Sequence, residues 1–280
     1  MTGNPLVHLQ HDPGGNSLGL DLPPGRAVHE TEAGVLDEPL LWITDSRPDA
    51  GLWGSVQARH GQTGLWPLLL GGSSYAPGSP WTTGELDPRL IRSRPGDHDA
   101  AALLAGWWSV YTAADEDDDI LSPPEQVAVT APFGDQWPGL APAGTLQEDA
   151  AFRAAEFAEH LMTDSWLTAP RLGLSVSARG ADAPADLGWG GPLNYENDTA
   201  QFGAVLRSWE ERFGARVVGL GPAKLFLSVA APPTDAAHAL HVAAEHFAFC
   251  PDNVWQSSTD TLIRYAESLT NRAWWSFWWD

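Results

Sequence analysis

The chain of 280 residues carries 36 acidic and 15 basic side chains, which gives a formal net charge of −21 at pH 7. Hydrophobic residues make up 43% of the chain, a usual value for globular proteins that excludes a largely disordered chain. A field of this sign repels a phosphate backbone, so nucleic-acid binding would require a local basic stripe. The densest basic group, Arg89, Arg92 and Arg94, is too small to form one.

The sequence also argues against a membrane protein. Its longest strongly apolar stretch, Leu65 to Leu70, is far shorter than the roughly 20 residues that a membrane-spanning helix needs. The first ten residues lack the basic and apolar regions of a secretory signal. Cys250 is the only cysteine, so the chain cannot form an internal disulfide, as is usual in a reducing compartment. We therefore expect a cytoplasmic protein.

Tryptophan is the compositional outlier, with 15 residues. Each indole brings a large apolar area and an N–H group that needs a hydrogen-bond partner. This number indicates either a heavily aromatic core or a surface that binds something with its rings. Because large rings are highly buried on average, the core is favoured for most of them.

The first half of the chain is predicted to be an irregular α+β domain. Residues 1–34 lack periodicity and are expected to form an irregular arm with one short strand. Strands are predicted at Leu40–Ile43, Leu52–Ala58 and Leu65–Leu70. Residues 73–95 are rich in proline and glycine, which favours a long loop.

A helix is predicted over Asp97–Tyr111, with Asp97 or Asp99 as its N-cap. The acidic run Asp115–Asp119 follows it, and five like charges in succession are typical of a solvated loop. The run lacks the spacing of a calcium-binding loop. Residues 125–130 are predicted to form a strand.

Residues 139–144 are rich in glycine, alanine and proline and resemble a linker. We therefore expect two domains, residues 1–144 and residues 145–280. The second should be a small mixed sheet with packed helices, so the fold class of the whole chain is α+β.

The clearest helix is predicted around residues 202–213. Its apolar side chains recur at the spacing of one helix face, namely at Phe202, Val205, Leu206, Trp209 and Phe213. Asn197, Asp198 or Thr199 can cap its start. Gly214 supplies the usual C-terminal stop.

Other elements are predicted on both sides of this helix. They are a helix at Gln147–Met162, a strand at Leu172–Val176, a hairpin of Arg216–Leu220 and Lys224–Ala230, a helix from its N-cap Thr234 to Phe249, a helix at Asp260–Leu269, and a final strand at Ala273–Asp280. The final strand carries rings on both faces, so it should be central in a sheet or covered on both sides.

Three segments resemble a family of bacterial, mostly actinobacterial, proteins. The segments are residues 205–216, 243–253 and 275–280, and the motif Gly188–Gly191 belongs to the same similarity. The C-terminal domain of that family is known as domain of unknown function number 4253. The resemblance implies a domain over about the last 110 residues but no activity, substrate or catalytic residue.

The helix that follows Thr234 carries candidate metal ligands. His238, His241 and Glu245 lie within about 60° of one another on the helix wheel. Two imidazoles and a carboxylate could bind zinc or iron. The same face is also where solvent is expected, and no CxxC or HExxH motif completes the set. The sequence therefore favours no metal and no cofactor.

His246 and Cys250 are the candidate catalytic pair, spaced one helical turn apart. An imidazole can draw the proton from a thiol and so activate it as a nucleophile. The alternative, which we favour, is that a lone cysteine near the end of an amphipathic helix is a small buried apolar group.

The binding candidates come from two places. Arg207, Glu210 and Arg212 would hold a ligand if their helix face lines a cleft, and would otherwise be solvated. The others, Asp252 and Trp255, follow the helix predicted to end at Phe249. The tryptophan-rich C-terminus is either a covered strand, which needs fewer assumptions, or a ring platform for a sugar or peptide.

Three functions therefore stay open. The first is a non-enzymatic module that binds a basic protein, for example an immunity protein that neutralises a basic toxin. The net charge and the lack of a complete catalytic set favour this hypothesis. The alternatives are a small hydrolase or metal-dependent enzyme around His246 and Cys250, and a sensor that binds a small ligand with its tryptophans.

Overall fold

A computed structural model describes residues 3–72, 81, 86–113, 123–196 and 198–280. The predicted acidic loop, Asp115–Asp119, lies outside the described residues, as do most of the proline-rich segment and the cap candidate Asn197. None of the helices in the described part combines the length and the apolar composition needed to cross a bilayer.

The first half of the chain forms short elements. In chain order they are α1 (Leu6–His11), β1 (Gly25–Val28), β2 (Glu30–Thr31), β3 (Gly34–Val35), β4 (Leu41–Thr44), α2 (Leu52–Gln57), α3 (His60–Thr63), β5 (Leu65–Gly72), α4 (Ala100–Tyr111) and α5 (Pro123–Val129).

The second half has longer helices. Its elements are α6 (Ala150–Thr163), β6 (Thr168–Val176), α7 (Ala183–Asp186), α8 (Thr199–Phe213), β7 (Arg216–Gly221), β8 (Lys224–Ser228), α9 (Ala236–Phe249), α10 (Asp252–Trp255), α11 (Leu262–Leu269) and β9 (Trp274–Trp278).

Seven of the strands form one mixed sheet in the order β1-β4-β6-β5-β7-β8-β9. Neighbouring strands are antiparallel, except that β5 and β7 run parallel. Strand β6, from the second half of the chain, lies between β4 and β5 from the first half. A boundary at residue 144 therefore does not separate two sheets. Helices pack on the mixed sheet, which confirms the α+β class.

The two faces of the sheet can be followed on β9, because neighbouring residues of a strand point to opposite sides. Phe277 stacks on Trp209 of α8, with ring centroids 5.3 Å apart. Trp274 stacks on Phe157 of α6, with centroids 6.0 Å apart. Helices α8 and α9 thus cover one face, while α6 covers part of the other, where it contacts β7 and β8.

Several predictions from periodicity and capping are confirmed. Asp99 caps α4 through the backbone N–H of Ala102, and Asp198 caps α8 through that of Ala200. Gly214 ends α8 in the left-handed conformation with φ 58°, where a side chain would be strained. The N-cap of α9 is Asp235 instead of the expected Thr234.

Two segments predicted as strands are helices. Residues 52–57 form α2, which buries Trp53 and Val56 three positions apart on one side. Residues 125–130 overlap α5, which begins with two prolines. Proline suits the first helical turn, where the missing N–H would have no partner in any case. Both segments are too short for periodicity alone to distinguish a helix from a strand.

The segment expected to be an irregular arm, residues 1–34, contains more regular structure than the one short strand predicted for it. Leu6 and Leu9 of α1 are buried in the core. Strand β1 pairs with β4 at the margin of the sheet, and β2 and β3 form a small ribbon of their own. Two leucines within six helical residues give too little periodicity to recognise in a segment rich in proline and glycine.

Strand β9 lies at the edge of the sheet, so the prediction of a central position was wrong. Trp275 and Phe277 are buried against the helices, whereas Trp274, Ser276 and Trp278 on the other face are only partly covered. Helix α6 contacts β8, but the outer face of β9 is left open along part of its length.

Candidate functional site

The thiol of Cys250 lies in the interior and takes part in a hydrogen bond. It donates to the carbonyl oxygen of Trp278 at 2.9 Å. Burial, which opposes formation of the thiolate, raises the pKa of the Cys250 thiol far above its usual range. A nucleophilic cysteine needs the opposite shift and access to its substrate. The surroundings of Cys250 therefore oppose the catalytic alternative, which the sequence had not favoured.

His246 is equally buried. Desolvation, with a smaller contribution from Arg212, lowers its pKa well below the usual range and keeps the ring neutral. The amide of Asn253 donates to the Tyr265 hydroxyl at 2.9 Å, and that oxygen lies 3.0 Å from His246 Nδ1. The Tyr265 proton then points to Nδ1, which places the imidazole proton on Nε2. Nε2 has no hydrogen-bond partner among the described residues.

Together with Asn253, Cys250 protects the outer edge of β9. Asn253 donates its amide N–H to the carbonyl oxygen of Ser276 at 2.7 Å, two residues before the carbonyl that Cys250 binds. Unpaired carbonyls on an edge strand invite another chain to pair with it. Cys250 and Asn253, which flank the start of α10, therefore satisfy the part of the edge that β8 leaves free.

The predicted metal ligands do not converge. The carboxylate of Glu245 is buried and bound to Arg212 at 2.6 and 2.7 Å, to the Trp209 indole N–H at 2.7 Å and to the Ala141 N–H at 2.6 Å. His238 Nε2 lies 2.9 Å from the carbonyl of Pro142, and His241 Nδ1 lies 3.0 Å from that of Ala237. Among the described residues, no group of three or more His, Cys, Asp or Glu could hold a metal ion.

The pair of Glu245 and Arg212 has a structural consequence for the expected linker. Arg212 also donates to the carbonyl of Ala141 at 2.8 Å, and its own carbonyl accepts from the N–H of Gly144 at 3.0 Å. Residues 139–144 are thus fixed to α8 and α9. The face of α8 that was expected to be solvated carries a buried ion pair here.

The remaining binding candidates are also occupied within the protein. Arg207 holds Asp182 through two hydrogen bonds of 2.6 and 2.8 Å. Glu210 accepts a hydrogen bond from Arg179 at 3.4 Å. Asp252 is buried and accepts from the Tyr195 hydroxyl at 2.7 Å, from Gln256 and from the N–H of Asp280.

Trp255 is the candidate with an accessible ring, at 41% exposure. Its edge packs against Tyr111 and Phe247, with centroids 5.9 and 5.3 Å away. Trp255 thus lies at the edge of an aromatic cluster of the core, and its ring remains in contact with solvent. Trp255 therefore serves as a reference for the exposed tryptophans elsewhere.

A concave surface with partly exposed rings lies on the open face of β8 and β9. We call it the aromatic groove. It has a volume of about 450 Å³ and is lined by Trp166, Lys224, Phe226, Trp274, Ser276, Phe277 and Trp278. Antiparallel pairing places Lys224 directly opposite Trp278 and Phe226 opposite Ser276. The floor is thus made of two cross-strand pairs, and the segment after α6 contributes Trp166 as a wall.

The end of the groove near Trp274 is a packed group of rings. Trp166 lies 4.4 Å from Trp274 and is parallel to Phe226 at 6.3 Å, measured between ring centroids. The guanidinium of Arg272 lies over the Trp274 ring at 4.4 Å, a distance at which a cation is attracted to the ring face. These contacts hold one end of the groove rigid, while Trp278 and Lys224 form the more open end.

The polar groups of the groove are available to a ligand. The indole N–H groups of Trp166, Trp274 and Trp278 form no hydrogen bond within the described chain, and neither do the Lys224 ammonium and the Ser276 hydroxyl. Of the core indoles, those of Trp66 and Trp189 donate to backbone carbonyls at 2.9 Å. Other buried indoles also lack a partner among the described residues, namely those of Trp42, Trp53, Trp108, Trp275 and Trp279. Lys224 is the only lysine of the chain.

Sequence reasoning found part of this site. The tryptophans at 274 and 278 were noted as one alternative, a ring platform. Trp166, Lys224 and Phe226 were missed, because their neighbours are set by strand pairing and by the connection after α6. The alternation of Lys224, Phe226 and Ser228 was the available signal for a second strand face.

Most of the groove lies within a part of the chain that matches a known protein-family model. Residues 171–280 match the family model described as a domain of unknown function (DUF4253), which confirms the resemblance seen in the sequence. The matched region contains every residue of the groove except Trp166. Searches of the curated proteins and of the solved structures each returned no match.

Proposed function

We propose that the protein is a non-enzymatic binding protein that holds its ligand in the aromatic groove. The observation that carries the proposal is the position of Trp278, which stands partly exposed beside Ser276 and opposite Lys224 on the open face of β8 and β9. Ligand sites are concave, mainly apolar and aromatic, and contain a few polar groups that fix orientation. The groove has each of these properties.

The state of Cys250 and His246 supports a binding protein over the hydrolase alternative. The thiol is committed to the carbonyl of Trp278, and its pKa is raised. The buried imidazole is held neutral beside Tyr265. The same buried and unpaired cysteine is compatible with the reducing cytoplasm that we propose as the location.

A ligand screen with matched variants tests the proposal. Mixtures of monosaccharides, disaccharides, nucleosides and aromatic acids are scanned by saturation-transfer NMR with the unaltered protein, with Trp278→Ala and with Trp255→Ala. Both substitutions remove one partly exposed tryptophan, but only the first lies in the groove. We expect at least one compound to bind the unaltered protein and Trp255→Ala, and to lose its signal with Trp278→Ala.

Substitution of Ser276 on the groove floor provides a second test of ligand binding in the groove. Ser276→Trp fills the space between Phe226 and the neighbouring rings while leaving the buried face of β9 intact. Binding of the same compound should disappear. Binding that survives both Trp278→Ala and Ser276→Trp would place the ligand elsewhere and contradict the proposal.

A second candidate function is favoured by charge. With a formal net charge of −21, the surface attracts basic proteins, and this attraction weakens as salt screens it. We propose a basic protein partner as the alternative. A tagged pull-down from the host lysate should then yield one stoichiometric basic protein at low salt and release it at high salt. An empty pull-down at low salt would count against a stable partner.

A further inference from the structure

We propose, resting on the binding function assigned to the aromatic groove, that its ligand is an acidic saccharide, a sugar ring that carries a carboxylate. The proposal rests on three properties of the groove: an excess of hydrogen-bond donors, a lysine without an ion pair among the described residues, and a ring surface beside an edge that is closed to peptides.

The first property is the balance of donors and acceptors. Indole N–H and ammonium groups only donate hydrogen bonds, and a serine hydroxyl can do both. The groove lining contains three tryptophans and Lys224, while the Ser276 hydroxyl is its single side-chain group that also accepts. A ligand rich in acceptor oxygens, such as a carboxylated sugar, satisfies this lining. A ligand rich in donors does not.

The second property is local charge. Lys224 is exposed and forms no ion pair within the described residues. Arg272 does not line the groove, and its guanidinium lies over Trp274 at the other end. Although the whole chain is strongly acidic, charges beyond about 8 Å are largely screened at physiological salt. The attraction of a carboxylate to the Trp278 end of the groove therefore depends on Lys224, against the opposing charge of Asp280 two residues beyond Trp278.

The third property is shape. A pyranose ring has one face of C–H groups that packs on an indole and a rim of hydroxyls that bonds to its edge. The run from Trp274 to Trp278 spans about 13 Å at the usual rise of a strand, which is enough for two sugar rings. We place the apolar face of one ring on Trp278 and its carboxylate at Lys224, since these residues are directly opposite each other.

An extended acidic peptide is the alternative ligand, and the edge of β9 argues against it. Peptides that add to a sheet bind the free carbonyls and N–H groups of an edge strand. The carbonyls of Ser276 and Trp278 are already bound by Asn253 and Cys250. Recognition therefore depends on the side-chain face of β9, which suits a compact ligand.

The experiment compares two disaccharides that differ at one carbon. Cellobiose and cellobiouronate, in which one terminal CH₂OH is oxidised to a carboxylate, are titrated into the full chain by calorimetry. We expect cellobiouronate to bind at least about tenfold more tightly, because a charge-assisted hydrogen bond is stronger than a neutral one. Its affinity should fall as NaCl is raised, whereas that of cellobiose should not.

Variants of Lys224 locate the effect. Lys224→Gln should remove most of the preference for the acid, and Lys224→Arg should keep it. Because Lys224 is exposed and unpaired in the described structure, both variants should unfold at the same temperature as the unaltered protein. Trp278→Ala should weaken both sugars, which separates the ring contact from the charge.

The outcomes separate this inference from the function on which it rests. Equal affinity for the two sugars, or a preference that survives Lys224→Gln, overturns the acidic ligand and leaves a groove that binds neutral sugars. Binding of neither sugar also overturns the saccharide inference. The binding function itself is then decided by the compound screen with Trp278→Ala, which does not depend on these two sugars.

Discussion

The carboxylate of Glu245 links parts of the chain that are far apart in sequence. It is bound by Arg212 and Trp209 of α8 and by the backbone of Ala141, and it is fully buried. A buried charge is tolerated because each of its oxygens has partners. The helix wheel placed Glu245 on a face where solvent was expected, but the structure buries this side chain, because Arg212 and residues 139–144 cover it.

We expect Glu245→Gln to destabilise the protein by about 3 kcal/mol, because it leaves the Arg212 charge without its counter-ion in a partly buried site. The free energy of unfolding is measured by urea denaturation. Glu267→Gln is the matched control, since Glu267 is exposed and forms no ion pair within the described residues. A loss of less than about 1 kcal/mol would show that the pair is equivalent to a surface ion pair.

The buried state of Cys250 makes a prediction about reactivity. Iodoacetamide should label the thiol of the native protein at least about a hundredfold more slowly than that of the urea-unfolded chain, because the native thiol is shielded and its pKa is raised. The rate is followed by mass spectrometry at pH 8. Rapid stoichiometric labelling of the native protein would instead restore Cys250 as a candidate nucleophile.

His246 should make the stability depend on pH. Its pKa in the folded protein is lowered, so the unfolded chain takes up a proton near its ordinary pKa of about 6.5 while the folded protein does not. The stabilisation is therefore present above that pH and is lost as the pH falls. Between pH 6 and 5 each such histidine contributes a slope of about 1 kcal/mol per pH unit.

His246→Gln removes this titration and keeps a side chain that can accept from Tyr265. We expect the variant to be less stable at pH 7 and to show a smaller loss of stability between pH 6 and 5, as measured by urea denaturation at each pH. His160→Gln serves as the control, because His160 is solvent-exposed on α6. An unchanged slope in His246→Gln would contradict the buried neutral imidazole.

At the scale of elements, β9 combines an edge position with a tryptophan-rich sequence. Its outer carbonyls are satisfied by Asn253 and Cys250, while its rings divide between the core and the groove. The protection of the edge depends on side chains that lie beyond α9 in sequence. A strand of this composition would otherwise be prone to pair with another copy.

Asn253→Ala removes one of these caps. We expect a loss of about 1 to 3 kcal/mol, the usual cost of an unsatisfied buried group, and increased self-association at high protein concentration. Light scattering after gel filtration measures the second effect. Ser257→Ala, a change in the same loop that leaves β9 capped, should remain monomeric to the same extent as the unaltered protein.

The elements that the sequence predicted well are those with a long period or a clear cap. Helix α8 follows the apolar spacing from Phe202 to Phe213, and its start and end carry Asp198 and Gly214. Helices α2 and α5 were mistaken for strands because each has two turns or fewer of apolar pattern. The edge position of β9 was not predictable, since rings on both faces indicate coverage and not the order of strands.

For the whole molecule, the sheet interleaves the two halves of the chain. Strand β6 pairs with β4 on one side and β5 on the other, and β5 in turn pairs with β7. Residues 145–280 alone would therefore lose both neighbours of β6 and the parallel partner of β7. The match to the family model begins at residue 171. This start does not coincide with the expected linker at residues 139–144.

We expect a fragment of residues 145–280 to lack a stable fold, because long unpaired strand edges are exposed in it. Its amide NMR spectrum should be poorly dispersed, while the full chain should unfold in one cooperative transition seen alike by fluorescence and circular dichroism. A well-dispersed fragment spectrum would instead support two independent domains.

The central position of β6 also determines when the sheet can form during synthesis of the chain. Strand β5 is complete about 104 residues before β6 is, and β4 is complete earlier still, which corresponds to roughly 5 to 20 seconds of translation. Until then β5, with its apolar sequence, has no neighbour on either side. During this period a newly made chain exposes β5. It avoids aggregation only if a chaperone binds it or if collisions with other unfinished chains are slow.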